Sequence, residues 1–226
     1  MRALVFGASG SIGSHIVDSL IKDSIDVVGT TSDNNKVNDK LVLVSLENLD
    51  NLIKIGNFDI IIWAHGHNFN DTINTFDLEK FNTIINANVS FILKTLEILL
   101  KNNRVNNGGK IVVISSIWEE FTRDNKLSYS ISKSALSGLV KNLAVDLSAK
   151  NILINNVLPG VIDNEMSRNT LSTEQFDYIK NYTYFNRLIN LDDVYNTVKF
   201  LVTNNTGVTG QSIKVDLGFT NLRKYN

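Results

Sequence analysis

At 226 residues, 43% of them hydrophobic, the chain is long enough to bury one sizeable core and short for two domains. A formal charge of −1 and a pI near 6.3 exclude the global basic field that draws nucleic acid. Cysteine is absent, which excludes a disulfide framework, an iron–sulfur cluster and thiolate zinc, and fits a reducing compartment.

Ala3-Leu4-Val5-Phe6 predicts a first strand that stops at Gly7-Ala8-Ser9-Gly10-Ser11-Ile12-Gly13. A helical pattern then runs through Ile12, Ile16, Val17, Leu20 and Ile21. Strand, glycine-rich turn and helix in this order point to a pyrophosphate at the helix N-terminus. There the free N–H groups and the positive dipole end favour an anion, and glycines let the backbone approach it. Ser9 and Ser11 add hydroxyl donors, and the alternative is a tight turn that binds nothing. Ile25 to Gly29 predicts a second strand and Leu41 to Val44 a third. Between them, Thr31 and Ser32 can hydrogen-bond a ribose 2′-phosphate with Lys36 neutralising it, while Asp33 can take a ribose diol instead. The balance leans to NADP(H) over NAD(H).

Ile60 to Ala64 predicts a fourth strand, and a long amphipathic helix is expected over Leu78 to Lys101, ended by Asn106-Asn107-Gly108-Gly109. Lys110 to Ile114 is the fifth strand, closing at Ser115-Ser116. A helix carrying Tyr129 and Lys133 should run to about Lys150. Ile152 to Val157 is the sixth strand, stopped by Pro159-Gly160, and Pro159 is the only proline. A helix near Asp192 to Thr203 and a last strand, Ser212 to Val215, complete the pattern. Alternating apolar strands and helices predict a single doubly wound, Rossmann-like α/β domain. Its parallel sheet of about seven strands would carry helices on both faces. No apolar run approaches the roughly 18 residues of a membrane span, and Leu4-Val5-Phe6 runs too soon into Gly7 for a secretory signal. A cytoplasmic protein without membrane or nucleic-acid partners is expected.

Tyr129-Ser130-Ile131-Ser132-Lys133 carries the chemistry. Positions i and i+4 share a helix face, so the Tyr129 phenol and the Lys133 ammonium point the same way. A cation within about 4–6 Å favours the phenolate and can lower a tyrosine pKa by about 1–3 units, which would suit proton transfer to or from an alcohol or carbonyl oxygen.

With these motifs in this order the chain resembles the short-chain dehydrogenase/reductases over nearly its whole length. The resemblance makes Gly7, Ser9, Gly10, Ser11, Ile12 and Gly13 the cofactor turn. It makes Asn88, Ser116, Tyr129 and Lys133 a catalytic tetrad. It implies that Ala64, Gly66, Pro159, Gly160 and Ile162, with Thr31, Ser32, Tyr129 and Lys133, touch a nicotinamide cofactor. Asn88 would hold a water connecting Lys133 to solvent. Val28-Gly29-Thr30-Thr31-Ser32 looks most like the 3-oxoacyl-carrier-protein reductases. Ser11 replaces the family's middle glycine. Trp63-Ala64-His65-Gly66 replaces its Asn-Asn-Ala-Gly, removing a sheet-tying asparagine. Ser45 replaces the acid common after the third strand, and Asn164 stands for a threonine.

The implied reaction is hydride transfer between the nicotinamide and a ketone or secondary alcohol, with Tyr129 as general acid/base. A nucleotide-binding scaffold or sensor without turnover is the alternative from another class, and a nucleotide-sugar epimerase would need a larger C-terminal part. His65 and His67 lack cysteine or acidic companions, so no metal is expected. Glu119, Glu120 and Arg123 read as a solvated loop and Trp118 as a pocket wall. A lid is expected over residues 163–190, where Phe176, Tyr178, Tyr182, Tyr184 and Phe185 would suit a polar ring such as a sugar. The resemblance also implies a homo-oligomer, tetramer or dimer, packed through the helices of Asn88 and Tyr129. Leu136, Leu139, Val140 and Leu143 would then serve either the interface or the core.

Overall fold

Residues 1–38 and 41–222 are described by the computed structural model. Its strands are the apolar runs of the sequence: β1 (Arg2–Phe6), β2 (Asp26–Thr31), β3 (Leu41–Leu43), β4 (Phe58–Trp63), β5 (Val105–Ile114), β6 (Leu153–Pro159) and β7 (Ser212–Val215). All pair in parallel in the order β3-β2-β1-β4-β5-β6-β7. The strand order reverses between β1 and β4, and in open sheets of this kind ligands bind in the crevice outside the carboxyl ends of the strands at that point.

Two apolar layers flank the sheet. Leu4, Phe6, Ile61, Trp63, Ile111, Val113 and Ile154 point into one, and Ala3, Val5, Ile60, Ile62, Val112, Ile114 and Val157 into the other. Successive strand residues face opposite sides, so a strand buried on both faces reads as one continuous apolar run. α1 (Ser11–Lys22) and α8 (Leu191–Lys199) cover the second layer. They are clamped by Asp23, which accepts from the Tyr195 hydroxyl at 2.6 Å and from Lys199 at 2.7 Å.

The first layer is covered by α2 (Asn51–Lys54), α4 (Phe91–Lys101) and α5 (Leu127–Asp146), with α3 (Leu78–Ile85) packed against α5. α3 and α4 are joined by one π-turn, Asn86–Ser90, so the expected long helix carries a local widening centred on Asn88. By length and composition Leu78–Lys101 is apolar enough to cross a membrane, contrary to the sequence expectation. Ile84, Ile92, Thr95, Leu96 and Leu99 of this run are buried in the fold. The helix ends at Lys101, as expected, but Asn102 and left-handed Asn103 (φ 53°) stop it. Asn106-Asn107-Gly108-Gly109 belongs instead to β5, where the register against β4 shifts and Gly108 takes φ 77°. Leu136, Leu139 and Val140 are core residues. Between β6 and α8 lie α6 (Glu165–Arg168) and α7 (Thr173–Tyr182), which the sequence pattern did not reveal.

Candidate active site

Every residue singled out for chemistry lies at the carboxyl end of a strand or on a helix facing that end. The turn after β1 begins with Gly7 at φ 75°, pressed so closely on the His65 backbone that a Cβ there would sit 2.7 Å from it. A Cβ on Gly13 would lie 2.1 Å from the Gly7 carbonyl oxygen, so this glycine is demanded by the turn itself. Gly10 differs. A Cβ there meets only the Gly7 oxygen, at 3.5 Å, leaving the space above it open to a ligand. Gly10 is the N-cap of α1 and no side chain caps the helix. Uncapped N–H groups beneath an open glycine form a cradle that fits the pyrophosphate of a dinucleotide.

Beyond it, a groove is lined by Gly7, Ser9, Thr30, Ser32, Asn34 and Val44 among others. Thr31 is buried, and its hydroxyl already joins Ser9 Oγ at 3.1 Å and the Asp33 N–H at 3.1 Å. Ser32 is the exposed hydroxyl of the pair. Asp33 accepts from the Asn35 N–H and lies 3.9 Å from Lys36.

The floor after β4 is held by a substitute for the missing asparagine. His65 Nε2 bonds the Ala87 carbonyl at 2.9 Å, its ring meets Phe91 edge-on at 4.8 Å, and burial lowers its pKa to about 4. The ring is therefore neutral near pH 7. Asn88, in the π-turn, takes the next residue in a two-point grip. Its Oδ1 accepts from the His67 N–H at 2.7 Å and its Nδ2 donates to the His67 carbonyl at 3.0 Å. Nδ2 also donates to Ser132 Oγ at 2.9 Å, which donates on to the Tyr129 carbonyl at 2.7 Å. With both N–H donors spent, the Asn88 amide anchors backbone, and the water expected there has no donor left on that side chain. The two histidines serve this floor. Among the described residues no group of three or more His, Asp or Glu is placed to hold a metal.

Tyr129, Lys133, Ser116 and Asn88 come together, all at most 8% exposed. α5 is started by a residue the sequence reading passed over. Buried Asp71 accepts from the Ser128 N–H at 3.0 Å and from the Ser128 hydroxyl, supplying from outside the cap that the helix lacks. Lys133 Nζ lies 5.8 Å from the centre of the Tyr129 ring and donates to the Ile114 carbonyl at 3.3 Å.

The charge states differ from the sequence expectation. Burial pushes the Tyr129 pKa up to about 12, and a hydrogen bond with Ser116 only moderates this. Burial also lowers Lys133 to about 8, opposed by Glu119. The ammonium lies beside the ring and is itself desolvated, so it does not make the phenol acidic in the folded chain. Burial wins over the neighbouring charge.

Glu119 is not in a solvated loop. It is buried, with its carboxylate accepting from Asn156 Nδ2 at 3.0 Å and from the Ser212 hydroxyl, and burial raises its pKa. Glu120 is exposed and pairs with Lys214 at 2.6 Å. Arg123 and Trp118 line the cavity beside Tyr129, as does Lys126, which sequence reasoning missed although it stands three residues before Tyr129. The other walls include Ile12, Ala64, Gly66, Ser116, Pro159, Gly160 and Ile162, with Asn164, Met166, Ser167, Thr170 and Leu171 across the top. Asn164 caps α6 through the Ser167 N–H and reaches Ser11 Oγ at 3.3 Å. The lid aromatics expected to suit a polar ring do not line the cavity. Tyr178, Tyr184 and Phe185 are at least 50% exposed, Tyr182 packs on Tyr178 and Phe219, and Phe176 borders a separate groove.

Comparison with known proteins bears on family and fold. A family profile described as enoyl-(acyl carrier protein) reductase matches residues 7–220. The 3-oxoacyl-[acyl-carrier-protein] reductase FabG of Buchnera aphidicola is 26% identical over 234 residues, covering 96% of each chain. A short-chain dehydrogenase family protein from Francisella tularensis superposes with a TM-score of 0.87 at 24% identity, covering 98% of this chain and 99% of that one. A gluconate 5-dehydrogenase from Burkholderia cenocepacia, solved with NADP and tartrate, gives 0.88 at 20% identity, covering 98% and 95%.

Proposed function

From the premise that the chain belongs to the short-chain dehydrogenase/reductase family, an NAD(P)-dependent group of oxidoreductases, we propose that it reduces a ketone to a secondary alcohol with Tyr129 as the proton donor. The observation that carries this reading is the convergence of Ser116, Tyr129 and Lys133 in one cavity at the carboxyl ends of β4, β5 and β6. A bound nicotinamide supplies the hydride. Gly10, Ser11 and the first turn of α1 would hold its pyrophosphate, and Ala64, Gly66, Pro159, Gly160 and Ile162 would line its reactive end.

The chain's own residues handle the oxygen. As the carbonyl carbon takes the hydride, its oxygen takes the phenolic proton of Tyr129, leaving an alcohol and a phenolate. A tyrosine held at about 12 keeps its proton near neutral pH, so the donor form is the one present before hydride transfer. Ser116 donates a hydrogen bond to the same substrate oxygen. Lys133, held at about 8, is charged at neutral pH, stabilises the transient phenolate and sits close to the pKa that best passes a proton back. Asn88 and Ser132 act as positioning residues, fixing the backbone of residue 67 to that of Tyr129.

NADP(H) is favoured over NAD(H) by exposed Ser32 with Lys36 nearby, and by the NADP and NADPH complexes of structural relatives. Residues 163–190, with Asn164 on the glycine turn and Ser167 and Thr170 over Tyr129, act as the substrate lid. Cysteine-free composition fits the cytoplasm as the compartment. The test is NADPH consumption with a panel of ketones, repeated with Tyr129→Phe. The variant should fold, bind NADPH and lose about 10²–10⁴-fold in kcat. Unchanged turnover would remove Tyr129 from the chemistry. Tight cofactor binding with no turnover of any ketone would favour the scaffold or sensor reading.

A further inference from the structure

We propose that the cavity beside Tyr129 selects a small carbonyl compound bearing an anionic group, with Arg123 and Lys126 holding the charge while Ser116 and Tyr129 hold the carbonyl oxygen. This rests on the hydride-transfer reading above and adds its substrate class.

The side chains around this cavity include Arg123, Lys126 and Lys133 and not one Asp or Glu. Lys133 has work in the proton transfer, but the other two cations do not. Lys126 is only 2% exposed, its Nζ stands 5.4 Å from the centre of the Tyr129 ring, and among the described residues its one side-chain hydrogen bond is to Asn68 Oδ1 at 2.8 Å. An ammonium has three donors, so two are left for a ligand. Arg123 stands 5.9 Å from the Trp118 ring and donates to the carbonyls of Asp124 at 3.3 Å and Thr170 at 3.1 Å. Its Nε is buried with no partner. Among the described residues neither cation makes a salt bridge, whereas Arg2, Arg168 and Arg187 each do.

Structural roles do not account for this placement. Arg123 ties its loop to the lid through Thr170, yet that uses one of five N–H donors. The acids that act on them through space are otherwise placed: the oxygens of Asp71, which faces Lys126, bond Ser128, and Asp124, which faces Arg123, is exposed. Burial lowers the Lys126 pKa to about 8, and repulsion from Arg123 adds to it. Holding two like charges together in a half-closed cavity is costly unless an anion lies against them. Their closeness to Tyr129 requires that the anionic group and the reacting carbonyl be near each other in the substrate, as in a short oxo acid or a phosphorylated ketone.

The test uses the enzyme saturated with NADP+ or NAD+, whichever binds, so that ketone binding is read by calorimetry without turnover. Probes are 2-, 3- and 4-oxo acids beside their methyl esters, and dihydroxyacetone phosphate beside dihydroxyacetone. Reduction of the same compounds is followed with the reduced cofactor. At least one anionic member should bind about 10- to 100-fold tighter than its neutral partner, and the arm that shows it identifies carboxylate or phosphate. Arg123→Gln and Lys126→Gln should each lower that preference about tenfold, chiefly by raising KM for the anionic member of the pair. If Lys126→Gln fails to fold, Arg123→Gln, at a partly exposed position, carries the comparison. No anionic preference in any pair, or a preference that survives Arg123→Gln, overturns the proposal. Preferential anion binding without cofactor oxidation would leave the anion site standing and sink the hydride-transfer reading. Reduction of neutral ketones alone would do the reverse.

Discussion

At the residue scale the site is governed by desolvation. Tyr129 keeps its proton up to about pH 12, while Lys126 and Lys133 are charged below about pH 8 and neutral above it. The sign for reduction follows. The proton donor is present throughout, the helping charges are lost as pH rises, and so kcat/KM should be level near neutrality and decline through about pH 8. A profile measured from about pH 6 to about pH 10 with saturating NADPH checks this. Rising activity over that range would mean a phenolate is required and that burial does not control Tyr129. The Tyr129–Lys133 pair was legible from its helical spacing, and the resemblance to the family added Asn88 and Ser116 to make the proposed tetrad. The sequence could not show which influence wins on Tyr129, because i,i+4 spacing fixes direction and says nothing about water. Glu119 and Lys126 were illegible for the same reason: a charged residue reads as solvated until its neighbours are known.

At the scale of elements, the two glycines of the turn do different work. Gly13→Ala would drive a Cβ to 2.1 Å from the Gly7 oxygen, and we expect little folded protein. Gly10→Ala meets nothing closer than 3.5 Å at an ordinary φ of −86°, so thermal stability should hold while calorimetric affinity for NADPH falls. Equal loss of stability in both would refute the cradle. α5 offers a second comparison. Removing the charge of the foreign cap with Asp71→Asn should cost about 1–2 kcal/mol, seen as a melting temperature lower by about 3–6 °C. kcat should drop with it, because the first turn of α5 aims Tyr129. The Leu78–Lys101 pattern predicted one regular helix. The π-turn within it serves the grip of Asn88 on residue 67, a tertiary contact that periodicity does not encode.

At the scale of the whole molecule, the parallel sheet was readable because strands buried on both faces are continuous apolar runs, and each lies where its run was found. The layer above the site was less readable. Its aromatics were expected to suit a polar ring, but it is Ser167, Thr170 and Leu171 that face inward, since short helices of mixed sequence give no clear face. Leu93, Ile131 and Val145 are exposed by 44–73% on α4 and α5, and these helices are where a homo-oligomer is expected to close. Sedimentation should give a dimer or tetramer, and Ile131→Lys should shift it towards monomer; a monomeric wild type would end that expectation. The carboxylate of Glu119 has partners on two strands made long after it, Asn156 on β6 and Ser212 on β7. On the ribosome, the loop beside Ser116 therefore emerges with an acid whose companions do not yet exist. The buried acid three residues after Ser116 thus gains its full set of partners only when the last described strand of the sheet has been translated and docked, and a chain ended before Ser212 would leave it without that hydroxyl.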